Sequence, residues 1–280
     1  MRPVLRVIGI VCAVAGVWGC AASQGSGRAQ PGNAQNIESD RDDGACNRSP
    51  RAHRTSMLIE LLKDEHAYIR QASARVLAQL GREDSSIVAA VEATLQDPNA
   101  DVRRLSAAIL GELGPIARVA TSALLNRLSD SHALVRQSAA RALVRLGGDA
   151  ELIVPQLVKM LKDRAPLCRM CAAEALGALG PSAKASVPAL VETLDDEVDE
   201  VSVEAMRAIG MMGYEGRAAV PRLIEILEGG TFLVRWNAAA ALGNIGPGAK
   251  EAAPALRRSL NDDDDAVREH AAEALRKIEL

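Results

Sequence analysis

From residue 49 to residue 279, apolar and polar positions follow a pattern that returns every 33 residues. Its clearest part places apolar or small side chains at offsets −1, +3, +4, +7 and +10 from a recurrent arginine. Around Arg103 these are Val102, Ser106, Ala107, Leu110 and Leu113. At 100° per residue they form a stripe about a third of the circumference wide, which predicts an amphipathic helix with one face in a core. An earlier apolar run in each repeat predicts a companion helix; the fourth repeat reads as helix 151–161, turn 162–166, helix 167–179. Gly81, Gly114, Gly147, Gly180, Gly213 and Gly246 close the second helices as C-caps, and Pro115, Pro181 and Pro247 prevent continuation. A further column, Pro155, Pro188, Pro221 and Pro254, falls near the start of the first helix, where a missing N–H costs little.

Three more columns share the spacing: Arg70, Arg103, Arg136, Arg169, Ser202, Arg235, Arg268; Leu62, Leu95, Leu128, Leu161, Leu194, Leu227, Leu260; and Asp64, Asp97, Asp130, Asp163, Asp196, Gly229, Asp262. Such coincidence marks a stacked-repeat architecture. Aromatic residues are 2% of the chain and aliphatic ones dominate its 48% apolar content, which argues against β-sandwiches and barrels. The expected fold is all-α: a right-handed α-solenoid of seven 33-residue helix-turn-helix repeats over 51–280, with repeats ending near 81, 114, 147, 180, 213, 246 and 280. The Thr-Pro-Leu-His signature of ankyrin is missing. Asp97…Val102-Arg103…Ala107…Leu110…Leu113-Gly114 and Asp130…Val135-Arg136…Ala140…Leu143…Leu146-Gly147 instead resemble HEAT repeats of the short, phycobilin-lyase-like type. That resemblance implies a platform whose second helices line the inner face, and it says little of function.

The arginine lies about 40° from the centre of the buried stripe, so it points inward and needs a carboxylate. The aspartate six positions earlier is the expected partner, which pairs Asp64 with Arg70, Asp97 with Arg103, Asp130 with Arg136, Asp163 with Arg169 and Asp262 with Arg268. Ser202 and Gly229 leave Asp196 and Arg235 over, and these are expected to pair across a weaker or differently angled junction. At offset +8 stand Ala78, Gly111, Val144, Gly177, Gly210 and Gly243, small enough to accept the next repeat. The seventh repeat has Arg276 there with Lys277 and Glu279, the charged outer face of a capping repeat.

Residues 1–20 read as an export signal: Arg2 and Arg6 precede an apolar stretch of twelve, 7–18, too short to span a bilayer. Its end, Val17-Trp18-Gly19-Cys20, resembles a bacterial lipobox, which implies lipidation of Cys20 and membrane anchoring toward the periplasm or exterior. Secretion with cleavage after Ala22 is the alternative. Residues 21–50 are poor in large apolar side chains and read as a flexible tether, in which Cys46 stands alone.

Candidate chemistry is sparse. Cys168 and Cys171 form a C-x-x-C at a helix start, but Cys168 fills a column of Ile and Val; an incidental pair is expected over a redox one. Deoxyhypusine hydroxylases use HEAT-like repeats with repeated His-Glu pairs around iron. Here Glu269-His270 is reversed and alone, and Arg104-Leu105, Gln137-Ser138, Met170-Cys171 and Trp236-Asn237 occupy the equivalent positions. A phycobilin lyase is the other enzymatic relative, disfavoured by the export signal and the scarce aromatics. No metal, no cofactor and no catalytic residue are expected, and the acidic runs 195–200 and 262–265 read as helix caps. Net charge is −3, which argues against nucleic acid. Residues 148–280 hold 15 basic against 22 acidic residues, favouring a basic protein partner toward the C-terminal half. The expected function is a non-catalytic scaffold in the cell envelope. Its expected contact surface lies at offsets +1, +5 and +9 of the second helices: Met170, Val203, Trp236, Arg207 and Met211, with Phe232 beside them; Trp236 either stands free there or folds over the neighbouring helix as ordinary packing.

Overall fold

The computed structural model describes residues 50–80 and 85–279. The predicted signal with Cys20, the tether with Cys46, and Gly81 lie outside the described residues. The chain divides into two compact units at Gly81 and Arg82.

In the first unit, α1 (Pro50–Leu61) packs on α2 (Ala67–Leu80) through Leu58, Leu62, Ile69, Ala74 and Leu77, all buried. Asp64 shapes the turn between them by accepting the His66 N–H at 2.8 Å, and Arg70 donates to the Asp64 carbonyl at 2.7 Å.

The second unit is six helix pairs among the described residues, and no strand occurs there. They are α3 (Ser85–Ala93) with α4 (Ala100–Leu113), α5 (Thr121–Arg127) with α6 (Ala133–Arg145), and α7 (Ala150–Met160) with α8 (Pro166–Leu179). Then follow α9 (Val187–Thr193) with α10 (Asp199–Met211), α11 (Val220–Gly229) with α12 (Phe232–Ile245), and α13 (Ala253–Ser259) with α14 (Asp265–Glu279). First helices after the second and the fourth to sixth repeats are preceded by 3₁₀ segments, such as Gly114–Ala120 and Gly246–Ala252, which open on glycines at φ 66° and 69°. Those positive angles are why the column is glycine rather than alanine.

Repeat four differs. Asp149 caps α7 through the Glu151 N–H at 3.0 Å and starts it early, so Pro155 sits inside the helix, while Pro188, Pro221 and Pro254 sit in the first turns of theirs.

Second helices pack on one another through the offset +8 glycines. A Cβ at Gly177 would lie 2.8 Å from the Ala208 Cα, and one at Gly243 would lie 2.8 Å from the Ala274 Cα. Two backbones can approach that closely only where one residue lacks a side chain. The stripe read from the sequence is the buried one: Val102, Ser106, Ala107, Leu110 and Leu113 are all buried in α4.

Candidate interaction surface

The ladder of buried ion pairs holds the second helices in register, and its connectivity corrects the expectation above. The carboxylate facing Arg103, Arg136, Arg169 and Arg235 comes from the following repeat, 27 residues on, not from the arginine's own turn, whereas Arg268 of the last repeat pairs with Asp265 beside it. Arg103 donates to Asp130 at 2.8 and 2.9 Å, Arg136 to Asp163 at 2.7 and 2.6 Å, and Arg169 to Asp196 at 2.6 and 2.7 Å. From its own turn each takes a backbone carbonyl: Arg103 donates to Asp97 at 2.8 Å, Arg136 to Asp130 at 2.8 Å, Arg169 to Asp163 at 3.0 Å, and Arg268 to Asp262 at 2.6 Å. The aspartate six positions back thus supplies its backbone, because its side chain is already engaged one repeat earlier. Asp196 and Arg235 do not pair. Arg235 donates to Asp262 at 2.7 Å and Asp263 at 2.9 Å.

Burial raises the carboxyls of Asp130, Asp163 and Asp196, but the guanidinium bonds and the backbone N–H two residues on outweigh it and hold all three below the ordinary value. Each aspartate therefore stays ionised where it clamps both its own turn and the preceding repeat.

With this register fixed, one face of each second helix points away from the stripe. Offsets −2, +1, +5 and +9 fall within about 80° of each other on it. Met211 is 49% exposed there, Phe232 at the adjoining offset −3 is 59% exposed, and Arg207 is exposed with its guanidinium 2.9 Å from Glu204. Met170 and Val203 are half-buried. Trp236 does not stand free: it is half-buried, with its ring 5.0 Å from that of His270 on the next helix. A shallow 190 Å³ pocket lined by Asn244, His270, Glu273 and Lys277 lies beside it.

Two leucines extend this face. Leu134 is 51% exposed and Leu167 36%, both at offset −2, one turn before Gln137 and Met170. Leu233 holds the same offset in repeat six and is half-buried. Leu134, Leu167, Met170, Val203, Leu233 and Trp236 thus follow one another across repeats three to six. The signal lay in the sequence: offset −2 is acidic at Asp101 and Glu200 yet apolar at these three positions. Charged side chains flank the strip, with Arg141 bridging to Glu174 of the next repeat at 3.0 Å.

The remaining candidate chemistry is structural in its contacts. Cys168 and Cys171 are free and buried, donating to the Ala133 and Gln137 carbonyls at 3.4 and 3.6 Å. Burial pushes the Cys171 thiol up to about 12, opposite to the lowering a helix start alone would give. Asp264 caps α14 through the Ala266 and Val267 N–H groups at 2.9 and 3.1 Å. Among the described residues, no three His, Cys, Asp or Glu side chains gather as a metal site.

A family model of HEAT repeats matches residues 55–144, 121–210 and 187–276. A solved chain of the complex of CpcE and CpcF of phycocyanin lyase from Nostoc is similar at 24% identity and a TM-score of 0.50, covering 87% of this chain and 100% of that one. Importin beta is similar at 17% identity and a TM-score of 0.62, covering 80% of this chain and 35% of that one. At these identities the likeness concerns the fold. No curated protein sequence matches. With the repeat matched over most of its length, the chain belongs to the HEAT-repeat family.

Proposed function

We propose that this chain is a non-catalytic protein-interaction scaffold displayed in the bacterial cell envelope, exported by residues 1–20 and anchored through lipid on Cys20. The observation that carries the scaffold reading is the apolar strip of Leu134, Leu167, Met170, Val203, Leu233 and Trp236 along successive second helices. Exposed Phe232 stands between two acidic turns, with Asp199 and Glu200 before it and 262–265 after it. That arrangement suits a partner segment with apolar anchors and Lys or Arg beside them.

The test is site-specific crosslinking in the native host from positions 134 and 236, followed by binding of the identified partner to purified protein. Capture that is lost on Leu167→Asp, with helical circular dichroism intact, supports the reading. A stoichiometric chromophore or metal in protein purified from that host overturns the non-catalytic assignment. Wild-type protein found wholly in the aqueous phase of a detergent partition, with Cys20→Ser processed normally, overturns the anchor.

A further inference from the structure

The sequence departs from its ladder at Ser202 and Gly229, and the observed connectivity shows these to be two ends of one rung. An arginine at 202 would face a carboxylate at 229, just as Arg169 faces Asp196 and Arg235 faces Asp262. Losing one partner would leave a buried charge without compensation; losing both leaves none. The rung between repeats five and six is therefore missing as a whole. Ser202 is buried and turns back to the Asp199 carbonyl at 2.9 Å, making no bond to repeat six.

Two further features mark the same junction. A Cβ at Gly210 would lie 3.3 Å from the Ala241 Cα, against 2.9 Å for Gly111 on Ala142, and 2.8 Å for both Gly177 on Ala208 and Gly243 on Ala274. Among the four junctions that carry a glycine at this offset, the approach is least close where the rung is missing. The turn of repeat six is also rebuilt. Without an aspartate to accept the N–H two residues on, α11 runs to Gly229 and leaves a short turn at Gly230 and Thr231. Gly230 must be glycine there, because a Cβ would meet the Ile226 carbonyl at 2.7 Å.

We infer that the junction between repeats five and six is a built-in flexure, across which repeats six and seven move as one block against repeats two to five. The boundary crosses the apolar strip: Leu167, Met170 and Val203 lie on one side, and Leu233, Trp236 and Phe232 on the other. Flexing would reset the distance between the two sets of anchors. That consequence rests on the scaffold reading, whereas the flexure does not, so the two can fail separately.

Native-state hydrogen exchange on the processed full chain tests it. The amides of α11–α14 are expected to exchange as one cooperative block, at least tenfold faster than those of α7–α10, with a step between α10 and α11. Ser202→Arg combined with Gly229→Asp restores the rung, and a Cβ at 229 meets nothing within 4 Å, so the block should slow at least tenfold toward its neighbours. Arg136→Leu with Asp163→Leu should create a second step between repeats three and four. Equal protection of α10 and α11, or gradual fraying from residue 279 without a step, overturns the inference. So does a folded restored-rung variant whose block exchanges at the wild-type rate. Should that variant fail to fold, the wild-type step and the Arg136/Asp163 pair still decide.

Discussion

The Arg136 guanidinium and the Asp163 carboxylate, 27 residues apart in the chain, are joined across neighbouring repeats by two hydrogen bonds of 2.7 and 2.6 Å. Their side chains are only 6% and 11% exposed. Removing one partner strands the other in a place water hardly reaches. Arg136→Leu should therefore cost about 3–5 kcal/mol of stability. The double change with Asp163→Leu should recover part of that loss, because no charge is left stranded, while still loosening the junction by about 1.5 kcal/mol, a little over tenfold in opening. Urea unfolding of the four proteins of the cycle measures this. Additive losses would show that the two side chains act independently.

The same rungs set the acid limit. Asp130, Asp163, Asp196 and Asp262 all have their carboxyls held below the ordinary value in the folded chain. The folded state then binds fewer protons than the unfolded one, so stability rises with pH through this range. The contribution is complete above the ordinary carboxyl value of about 3.9 and is lost as pH falls through the lowered folded values. Melting temperatures should be flat from about pH 5 to 7 and fall steeply below about pH 4. Asp163→Asn, measured beside wild type, should flatten part of that fall.

How much of this was legible beforehand depends on the reach of each interaction. The stripe of Val102, Ala107 and Leu110 is local to one helix, and a period of 3.6 exposes it directly. The inward direction of the arginines followed from the same geometry. Their partners did not, because offsets −6 and +27 are the same column one repeat apart, and sequence spacing cannot choose between them. The backbone carbonyl taking the near position, as Asp130 does for Arg136, decided it. Trp236 stayed open between a free and a packed indole for a related reason: angles on one helix say nothing about His270 on the next. Leu134 and Leu167 lie in a readable column that offsets +1, +5 and +9 leave out, although offset −2 points the same way.

The glycine column makes a contrast of sites. Gly177→Ala places a methyl 2.8 Å from the Ala208 Cα and must push two helices apart, costing about 1–3 kcal/mol. Gly229→Ala adds its methyl to open space at a helix end and should be neutral or stabilising by up to about 1 kcal/mol. Thermal unfolding separates the two; equal effects would mean that propensity, not close approach, governs the column.

The thiols offer a clock for opening. Cys168 and Cys171 are both fully buried, and burial raises both thiols, Cys171 to about 12. Neither should react with a disulfide reagent at pH 8 in the native state within the mixing time, and both should react at once in urea. Slow native labelling should follow the opening of α8, so Arg169→Leu, which breaks the rung beside them, should speed it at least tenfold. Prompt labelling of native protein would place these cysteines at the surface and reopen a redox role.

Trp236 carries the most direct reading of the surface. Once the signal ahead of Cys20 is removed, it is the one tryptophan left. Its ring is half-buried against His270, so emission should lie between core and solvent values, with partial quenching by acrylamide. His270→Ala takes away that cover and should shift emission to the red and raise quenching. Trp236→Ala should leave helical circular dichroism intact, because the buried stripe of α12 consists of Ala238, Ala239, Ala241 and Leu242 rather than the indole. Against an identified partner the same change should weaken binding by about 2 kcal/mol, or some thirtyfold, as for a desolvated aromatic anchor. Leu134→Asp, at a site 51% exposed, should weaken it too while moving stability by no more than about 0.5 kcal/mol. If Trp236→Ala unfolds the protein, or leaves partner affinity unchanged while His270→Ala still shifts the emission, the indole is packing between repeats six and seven and the contact surface lies elsewhere.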